Sequence, residues 1–307
     1  MEKENKNLSN RRTLLLRNKV IAIVGPTGSG KTEWAKKIAQ KFKGRVISVD
    51  SRQIYRGMDI GTAKDKSFPQ DLIDILEPPE KFTMADYQKM ANDLINQYLK
   101  IKTLPVLAGG TGLYLYAVLY GYVIPQISKE SQALRNQLEK MSAIELFRKL
   151  QKIDPETAKK IDARNKRRLV RALEVAMISG KSFIKQQKKS KPPFENLIIG
   201  IKKDRQTLYS KIDARVEQMI KDGLVEEVRK LISKYRRNLP VFNTIGYKEI
   251  IDYIDNKMTL KEAIEKIKVN THDYVRRQDT WFKRNKDIRW VENYEDAEKL
   301  VEKFLKK

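Results

Sequence analysis

The chain has 307 residues, with 64 Lys or Arg against 39 Asp or Glu and a formal charge of +25 at pH 7. This excess favours a polyanionic partner, either nucleic acid or an anionic membrane surface, although a generally lysine-rich proteome is the alternative explanation. The absence of cysteine excludes disulfides, a thiol nucleophile and thiolate zinc sites, and a single histidine, His272, excludes a histidine metal cluster.

The amino-terminal residues are basic, and their only apolar run, residues 14–16, is too short for a signal peptide. No apolar run in the chain approaches the roughly 20 residues of a membrane span. We therefore expect residues 1–18 to form a mobile basic tail on a cytoplasmic protein that has no membrane partner. No segment carries an interface signature, which favours a monomer.

The first predicted strand, residues 20–24, is an apolar β-branched run that leads into GPTGSGKT at 25–32. These eight residues match the pattern G-x-x-x-x-G-K-[ST], and a helical pattern follows them. In such a loop the backbone amides converge on a phosphate at the start of a helix. Lys31 is suited to neutralising the phosphate, and the Thr32 hydroxyl to binding Mg²⁺.

Two more strands, 45–49 and 104–108, alternate with predicted helices at 85–99 and from residue 113 onward. This alternation predicts a parallel α/β sheet with right-handed crossovers. Asp50 and the glycine-rich residues 109–112 follow strands, so both fall on the edge where such sheets bind ligands. Asp50 is suited to metal binding or general-base chemistry, while capping of a following helix by Asp50 or Ser51 is the structural alternative.

Residues 123–196 have an almost wholly helical pattern, with 18 Lys or Arg against 8 Asp or Glu, and residues 197–201 restore a strand. We predict an α/β protein with a P-loop NTPase-like parallel sheet core flanked by helices. The core comprises residues 19–122 and 197–307, and 123–196 form an inserted helical subdomain that covers the ligand edge.

Two long helical tracts, about 205–236 and 259–284, complete the chain. Lys211 and Arg215 are four residues apart and project together, as either a solvated face or a phosphate clamp. Arg277 and Arg284 share a helical face beside Trp281. That grouping suits nucleic acid, although a tryptophan at helical spacing is also typical of a core. His272 is expected to be solvated or structural.

Five stretches together resemble the tRNA dimethylallyltransferases, also known as tRNA isopentenylpyrophosphate transferases. The stretches are SVDSRQIYRGMDIGTAK (48–64), LAGGTGLYL (107–115), RALEV with SGKS (171–182), TIGYKE (244–249) and RRQDTWF (276–282). With the phosphate loop, the resemblance extends over nearly the whole chain.

The resemblance implies transfer of a dimethylallyl group from its diphosphate to N6 of the adenosine at tRNA position 37. That adenosine lies immediately 3′ of the anticodon in tRNAs that read codons starting with U, and diphosphate is released. Asp50 matches the general base of the family, and Thr111 matches a residue that contacts the target nucleotide. Arg215, Lys31 and Thr32 match residues acting on the diphosphate, with Mg²⁺ as cofactor. The implied diphosphate-binding set is Gly25, Pro26, Thr27, Gly28, Ser29, Gly30, Lys31, Thr32 and Arg215.

The same resemblance implies contacts to the tRNA anticodon stem-loop. Besides Asp50 and Thr111, the matching residues are Ser51, Arg52, Gln53, Arg167, Arg168, Leu169, Val170, Arg171, Gly246, Tyr247, Lys248, Arg276, Arg277, Gln278, Trp281 and Arg284. The chain departs from the family pattern at Pro69-Gln70 and Lys166, and at Gly28, where alanine is usual. The departure at Lys166 puts the capping of the helix there in question.

Three other functions are compatible with parts of the sequence. An adenylate isopentenyltransferase uses free AMP, ADP or ATP as acceptor, and a P-loop nucleotide kinase or NTPase uses the same kind of loop. A non-catalytic RNA-binding protein with a vestigial loop is the third. The basic helical insertion and the charge of +25 favour tRNA as the acceptor.

Overall fold

A computed structural model describes residues 18–122, 129–186 and 192–307 of the chain. The expected basic tail lies outside the described residues, apart from Asn18. The chain divides into two compact units, one formed by the residues up to Leu119 together with Phe194–Lys307, and the other by Tyr120–Pro193. The second unit begins and ends three residues earlier than the insertion that the sequence predicted.

The first unit contains a six-stranded sheet in which all paired strands are parallel. The strands are β1 (Lys19–Val24), β2 (Gly44–Ser48), β3 (Gln70–Asp71), β4 (Leu104–Gly109), β5 (Glu195–Ile201) and β6 (Ile288–Val291). Their order is β3-β2-β4-β1-β5-β6, so β1 pairs with β4 and β5 at the centre. The predicted α/β fold with a P-loop-like parallel sheet is confirmed.

Helices precede and follow these strands along the chain. They are α1 (Lys31–Lys41), α2 (Met84–Lys100), α3 (Gly112–Leu119), α4 (Lys129–Lys140), α5 (Ala143–Ile153), α6 (Pro155–Ala158), α7 (Lys166–Ser179), α8 (Phe183–Gln186), α9 (Arg205–Lys221), α10 (Leu224–Lys234), α11 (Tyr247–Ile254), α12 (Leu260–Lys283) and α13 (Tyr294–Lys306). A 3₁₀ turn covers Pro240–Asn243.

The core of the first unit has two parts. Strand β1 is fully buried, as expected for a parallel strand covered on both faces, and Ile21 and Ile23 pack with Ile38 of α1 and Val301 of α13. A second apolar cluster joins α9, α10, α11 and α12 to residues 54–58. This second cluster holds the carboxyl-terminal helices against the segment that follows β2.

The predicted tract 205–236 is two helices, because Gly223 has a φ of 97° and ends the regular hydrogen bonding between α9 and α10. Glycine adopts this left-handed conformation without the steric cost that other residues meet. The short strands β3 and β6, the short helix α11 and the amphipathic helix α13 were not predicted.

The second unit consists of helices α4 to α8 around its own apolar core, which includes Leu138, Leu146, Leu150 and Leu173. Ser142 caps α5 in a reciprocal arrangement with Glu145. The side chain of Asn165 accepts a hydrogen bond from the Arg168 amide at 3.1 Å and so caps α7. The cap put in question by the departure at Lys166 is therefore formed.

Candidate active site

The carboxyl ends of β1, β2 and β4 lie side by side. Val24 is in register with Gly109, and Ser48 with Ala108. The backbone of Val49 passes very close to Gly109, since a Cβ on this glycine would lie 2.1 Å from the Val49 carbonyl oxygen. The glycine-rich residues 109–112 can therefore fold over the end of β2, as the sequence predicted from their shared edge.

Thr111 connects this turn to Asp50. The Thr111 amide donates to the Val49 carbonyl at 3.2 Å, and the Ser51 amide donates to the Thr111 hydroxyl at 3.2 Å. One Asp50 oxygen, Oδ1, accepts the amides of Arg52 at 2.8 Å and Gln53 at 3.4 Å. Asp50 thus anchors a turn at 51–54, and no α-helix begins there for it to cap.

The loop 25–30 leads into the amino terminus of α1 with Gly28 at a φ of 79°. A Cβ on Gly28 would lie 3.3 Å from Ile212 of α9, so glycine in place of the usual alanine suits both the backbone and the packing. The Ser29 hydroxyl is buried without a hydrogen-bond partner in the protein. Such an orphaned polar atom in a loop of converging amides is what an anion site leaves for its ligand.

Three charged side chains meet at this edge: Lys31, Asp50 and Arg215. Burial lowers the pKa of Lys31 from its ordinary 10.5 to about 8, the Asp50 charge opposes that effect, and the Arg215 charge adds to it. Burial also lowers the pKa of the Arg215 guanidinium, again opposed by Asp50. Two partly buried cations next to one carboxylate leave an excess of positive charge that a diphosphate would neutralise.

Helix α9 places Arg215 differently from Lys211. Arg215 is partly buried and interacts with Asp50 and Lys31, whereas Lys211 is exposed. Of the two interpretations of this pair, the solvated face describes Lys211, and the phosphate clamp stays a prediction for Arg215. The apolar residues Leu208 and Ile212 on the same helix are buried and fix its rotation.

Tyrosines surround Asp50, and the sequence analysis did not identify them. Tyr114 stacks on Tyr87 with ring centroids 4.6 Å apart, and the Tyr87 hydroxyl donates to the Ser48 carbonyl at 3.0 Å. Burial raises the pKa values of Tyr114 and Tyr274 to about 12, and the Asp50 charge contributes to both. The available signal was positional, since Tyr114 lies in the first turn after residues 109–112.

Helix α12 contributes Gln278, which is 6% exposed. The Thr27 amide donates to Gln278 Oε1 at 2.8 Å, and Gln278 Nε2 donates to the Gly110 carbonyl at 3.1 Å. The side chain therefore joins the phosphate loop to the turn that carries Thr111. The tRNA contact expected for Gln278 stays a prediction, and the structure adds a role inside the protein that sequence alone did not indicate.

The exposed face of α12, together with Arg284 just after it, carries further residues predicted to bind tRNA. Trp281 is 40% exposed and also stacks on Tyr116. Its ring therefore packs against the protein on one side and remains accessible at the surface. One surface groove is lined by Asp273, Arg276, Arg277, Thr280, Trp281 and Arg284. These side chains bring together the arginines and the aromatic ring that the sequence grouped.

His272 has the structural role that the sequence favoured. Its ring stacks on Tyr209 with centroids 3.9 Å apart, and its Nε2 lies 2.8 Å from Asp213 Oδ1. Arg276 donates to the Tyr209 hydroxyl at 2.9 Å. These contacts tie α12 to α9 and thereby fix the relation between Gln278 and Arg215.

Several residues expected to bind tRNA are used inside the protein. Tyr247 is fully buried and donates to Glu227, whose carboxylate also accepts the amides of residues 59–61. Gln53 Nε2 donates to the Thr62 carbonyl at 3.1 Å. Much of the motif at 48–64 and 244–249 therefore packs together after β2, while Lys248, beside buried Gly246, is exposed.

In the helical unit, the residues of α7 that are predicted to contact tRNA lie on two different faces of the helix. Arg167 and Arg168 are exposed, whereas Leu169 and Val170 are at most 1% exposed and pack in the core of the unit. Both side chains face inward, and the tRNA contact expected for Leu169 and Val170 stays a prediction. Arg171 donates to the buried Glu174 carboxylate at 2.8 Å.

The residues at the phosphate loop fit Mg²⁺ in chemical type. Thr32 supplies a hydroxyl at the start of α1, and Asp50 supplies carboxylate oxygens at the same edge. Mg²⁺ prefers oxygen ligands, and it is commonly held by one or two side chains together with phosphate oxygens. Within the described ranges no group of three or more histidine or acidic side chains forms a metal site independent of a phosphate ligand. Nor is any helix in those ranges long and apolar enough to cross a membrane.

Comparison with known proteins extends these observations. The family model described as IPP transferase matches residues 53–285, and the model described as isopentenyl transferase matches residues 18–73. A curated tRNA dimethylallyltransferase from Anoxybacillus flavithermus is 39% identical over 297 residues, which cover 94% of this chain and 95% of the relative.

Two solved structures share the fold. A tRNA isopentenylpyrophosphate transferase from Bacillus halodurans matches with a TM-score of 0.72 and 37% identity, over 94% of this chain and 97% of that chain. A eukaryotic dimethylallyltransferase acting on tRNA matches with a TM-score of 0.78 and 26% identity, over 90% of this chain and 74% of that chain.

The sheet, its phosphate loop and these matches define a prenyl-transferring enzyme built on a P-loop-like fold. The chain belongs to the family of tRNA dimethylallyltransferases.

Proposed function

We propose that this enzyme transfers a dimethylallyl group from dimethylallyl diphosphate to N6 of the adenosine at tRNA position 37, in tRNAs that read codons starting with U. The observation that carries the proposal is the meeting of Lys31, Arg215 and Asp50 at one sheet edge. Two cations there suit a diphosphate, and the carboxylate beside them suits an amine that must lose a proton.

In this reaction the C1–O bond of the donor breaks and its electron pair leaves with diphosphate. The N6 lone pair forms the new C–N bond, and Asp50 accepts the proton that N6 releases. Lys31, Arg215 and the amides of the loop stabilise the negative charge that develops on the leaving oxygen. Because these groups are held in place before the reaction, little reorganisation is needed as the charge develops.

The proposal includes Mg²⁺ because the Thr32 hydroxyl at the loop is an oxygen ligand of the kind this ion prefers. Thr32 would hold the ion together with oxygens of the diphosphate, and Asp50 is a carboxylate donor at the same sheet edge. When bound, the ion supplies additional positive charge to the leaving diphosphate.

The acceptor side of the proposal uses the exposed arginines. The groove of Arg276, Arg277 and Arg284 beside Trp281 offers charge for phosphates and a ring for stacking. Arg167 and Arg168 offer a second cationic surface on the helical unit. The target adenosine must leave the anticodon-loop stack to reach a carboxylate at the end of a sheet.

A comparison of acceptors tests the proposal. Purified enzyme is incubated with labelled dimethylallyl diphosphate and Mg²⁺ and with either unmodified tRNA or AMP, and label on each acceptor is measured. We expect label on the tRNA and none on AMP, together with no ATP hydrolysis above background. Label on AMP alone would instead identify an adenylate isopentenyltransferase, and vigorous ATP hydrolysis without prenyl transfer would identify a nucleotide-hydrolysing enzyme.

A further inference from the structure

Gln278 is a polar side chain in the interior of the first unit. It is 6% exposed, while its neighbour Arg277 is exposed to solvent. A buried amide is costly unless both its donor and its acceptor are satisfied. Here both are satisfied by backbone groups of two loops, Thr27 and Gly110, that are distant in sequence from the helix.

The hydrogen-bonded bridge from Gln278 to Thr27 and Gly110 requires one planar group that accepts and donates at the same time. The Thr27 amide needs an acceptor, which Oε1 provides at 2.8 Å, and the Gly110 carbonyl needs a donor, which Nε2 provides at 3.1 Å. A glutamine amide offers both from one side chain, whereas a glutamate that is ionised offers only acceptors. The length of the side chain also matters, because asparagine is shorter by one methylene.

The bridge lies beside the charged cluster. A Cβ placed on Gly110 would be 2.2 Å from Gln278 Nε2 and 4.0 Å from Lys31 Nζ. The amide, the turn at 109–112 and the lysine are therefore packed around one point. From Gly110 the contacts continue through Thr111 to the Ser51 amide, next to Asp50.

We propose that Gln278 is a positioning residue that sets the distance between the diphosphate-binding loop and the turn that carries Thr111 and supports Asp50. This inference rests on the proposed function, because the two loops are the ones assigned to the donor and to the acceptor. Gln278 itself touches neither reacting atom. It acts through Thr27 on one side and through Gly110 on the other, so that the donor carbon and N6 are held at reacting distance.

Displacement of one loop relative to the other lowers the rate more than it lowers affinity. Holding reactants in a near-attack geometry accounts for a large part of enzymatic acceleration, and a displacement of about 1 Å can cost about 10²-fold in rate. Groups that only bind the tRNA phosphates on the exposed face of α12 are not altered by loss of the bridge. A positioning role therefore predicts a fall in kcat with little change in the affinity for tRNA.

The test compares Gln278→Leu and Gln278→Glu with a matched control, Gln97→Leu, at an exposed site on α2. Folding is checked by thermal unfolding, and kcat, KM for dimethylallyl diphosphate and tRNA affinity are measured for each variant. We expect Gln278→Leu to lose about 10²-fold in kcat, with tRNA affinity within about threefold of the unaltered enzyme, and Gln97→Leu to behave as the unaltered enzyme does.

The pH dependence of Gln278→Glu separates positioning from mere stability. When its carboxyl group is protonated, this variant again offers both a donor and an acceptor. Its kcat relative to the unaltered enzyme should therefore rise as the pH is lowered from 8 to 5, whereas that ratio stays flat for Gln278→Leu. Because the comparison is with the unaltered enzyme at each pH, titrations common to both proteins cancel.

The outcomes distinguish this inference from the proposed function. An unaltered enzyme that transfers prenyl groups to tRNA, together with folded Gln278 variants of normal kcat, would overturn the positioning role alone. Loss of folding without any acid recovery by Gln278→Glu would do the same, since it would make the bridge purely structural. An unaltered enzyme that transfers no prenyl group to tRNA would overturn the proposed function and, with it, this inference.

Discussion

At the scale of single residues, the proposed chemistry depends on Asp50 being available while it also supports a turn. Its Oδ1 is engaged by the amides of Arg52 and Gln53, which holds the carboxylate in one orientation. A base that is already oriented needs no reorganisation when the substrate arrives. In the proposed mechanism, Asp50 therefore both supports the turn and accepts the proton.

Replacement of Asp50 by asparagine tests its role as base. The amide oxygen still accepts hydrogen bonds from the turn, so folding is retained, but the side chain no longer accepts a proton. We expect kcat to fall by about 10²–10⁴-fold, with the melting temperature and the tRNA affinity close to those of the unaltered enzyme. Intact kcat in a folded Asp50→Asn variant would remove Asp50 from the mechanism.

Lys31 leads to a prediction about pH. Since burial lowers its pKa to about 8, Lys31 is charged below that pH and becomes neutral as the pH rises through it. The charged form is the one that attracts diphosphate, so the affinity for inorganic diphosphate should weaken above pH 8. Titration calorimetry from pH 6.5 to 9.5 measures this dependence.

The matched control is Lys31→Arg, because a guanidinium stays charged over this whole range. It also corrects for the ionisation of diphosphate itself, which is the same for both proteins. The affinity of the unaltered enzyme relative to Lys31→Arg should therefore fall as the pH increases. A constant ratio would show that Lys31 does not lose its proton there.

At the scale of elements, helix α7 has one buried face and one exposed, cationic face. Leu169 and Val170 face the core of the helical unit, while Arg167 and Arg168 face solvent. The sequence motif alone treats these four neighbours as one tRNA-binding segment. Their burial assigns the first pair to stability and leaves the second pair for the RNA.

This division predicts opposite effects of substitution. Leu169→Ala should lower the free energy of unfolding of the helical unit by about 2–5 kcal/mol, because it removes a fully buried side chain. The double variant Arg167→Ala and Arg168→Ala should change stability by no more than about 0.5 kcal/mol per site while weakening tRNA binding. Chemical unfolding and filter binding measure the two quantities, and a reversal of the pattern would contradict the assignment of faces.

The sequence predicted elements well where their periodicity was strong. The strand that leads into Gly25 and the turn at 109–112 were located by their apolar runs and glycines, and their shared sheet edge followed from topology. The bridge made by Gln278 was not predicted, because its partners are far away in the chain. Gly110 is separated from Gln278 by 168 positions and Thr27 by 251. The burial of Tyr247 was also missed, since its partner Glu227 lies on a different helix.

At the scale of the whole molecule, the charge of +25 is the feature that no single contact explains. Binding to a nucleic acid releases counterions, so the logarithm of the affinity falls linearly with the logarithm of the salt concentration. For single-stranded RNA the slope is about 0.7 per neutralised phosphate. A steep slope therefore indicates that many of the exposed cations contact the tRNA.

We expect the groove on α12 to account for part of that slope. Replacing Arg277 and Arg284 by glutamine should reduce the slope by about one unit for each phosphate contact that is lost. The control is the exposed Lys257, which pairs with Asp252 and Asp255 at the other end of the carboxyl-terminal helices. Lys257→Gln should leave the slope unchanged, and an unchanged slope in the arginine variant would remove the groove from the tRNA interface.

The most direct test of the central claim is mass spectrometry of nucleosides and anticodon-loop fragments from the tRNA of cells that lack this enzyme. We expect N6-dimethylallyladenosine and its derivatives to be missing from the position 3′ of the anticodon in these cells. The modification should return when the unaltered gene is supplied and remain absent when Asp50→Asn is supplied. Full modification of that adenosine in the cells without the enzyme would contradict the account.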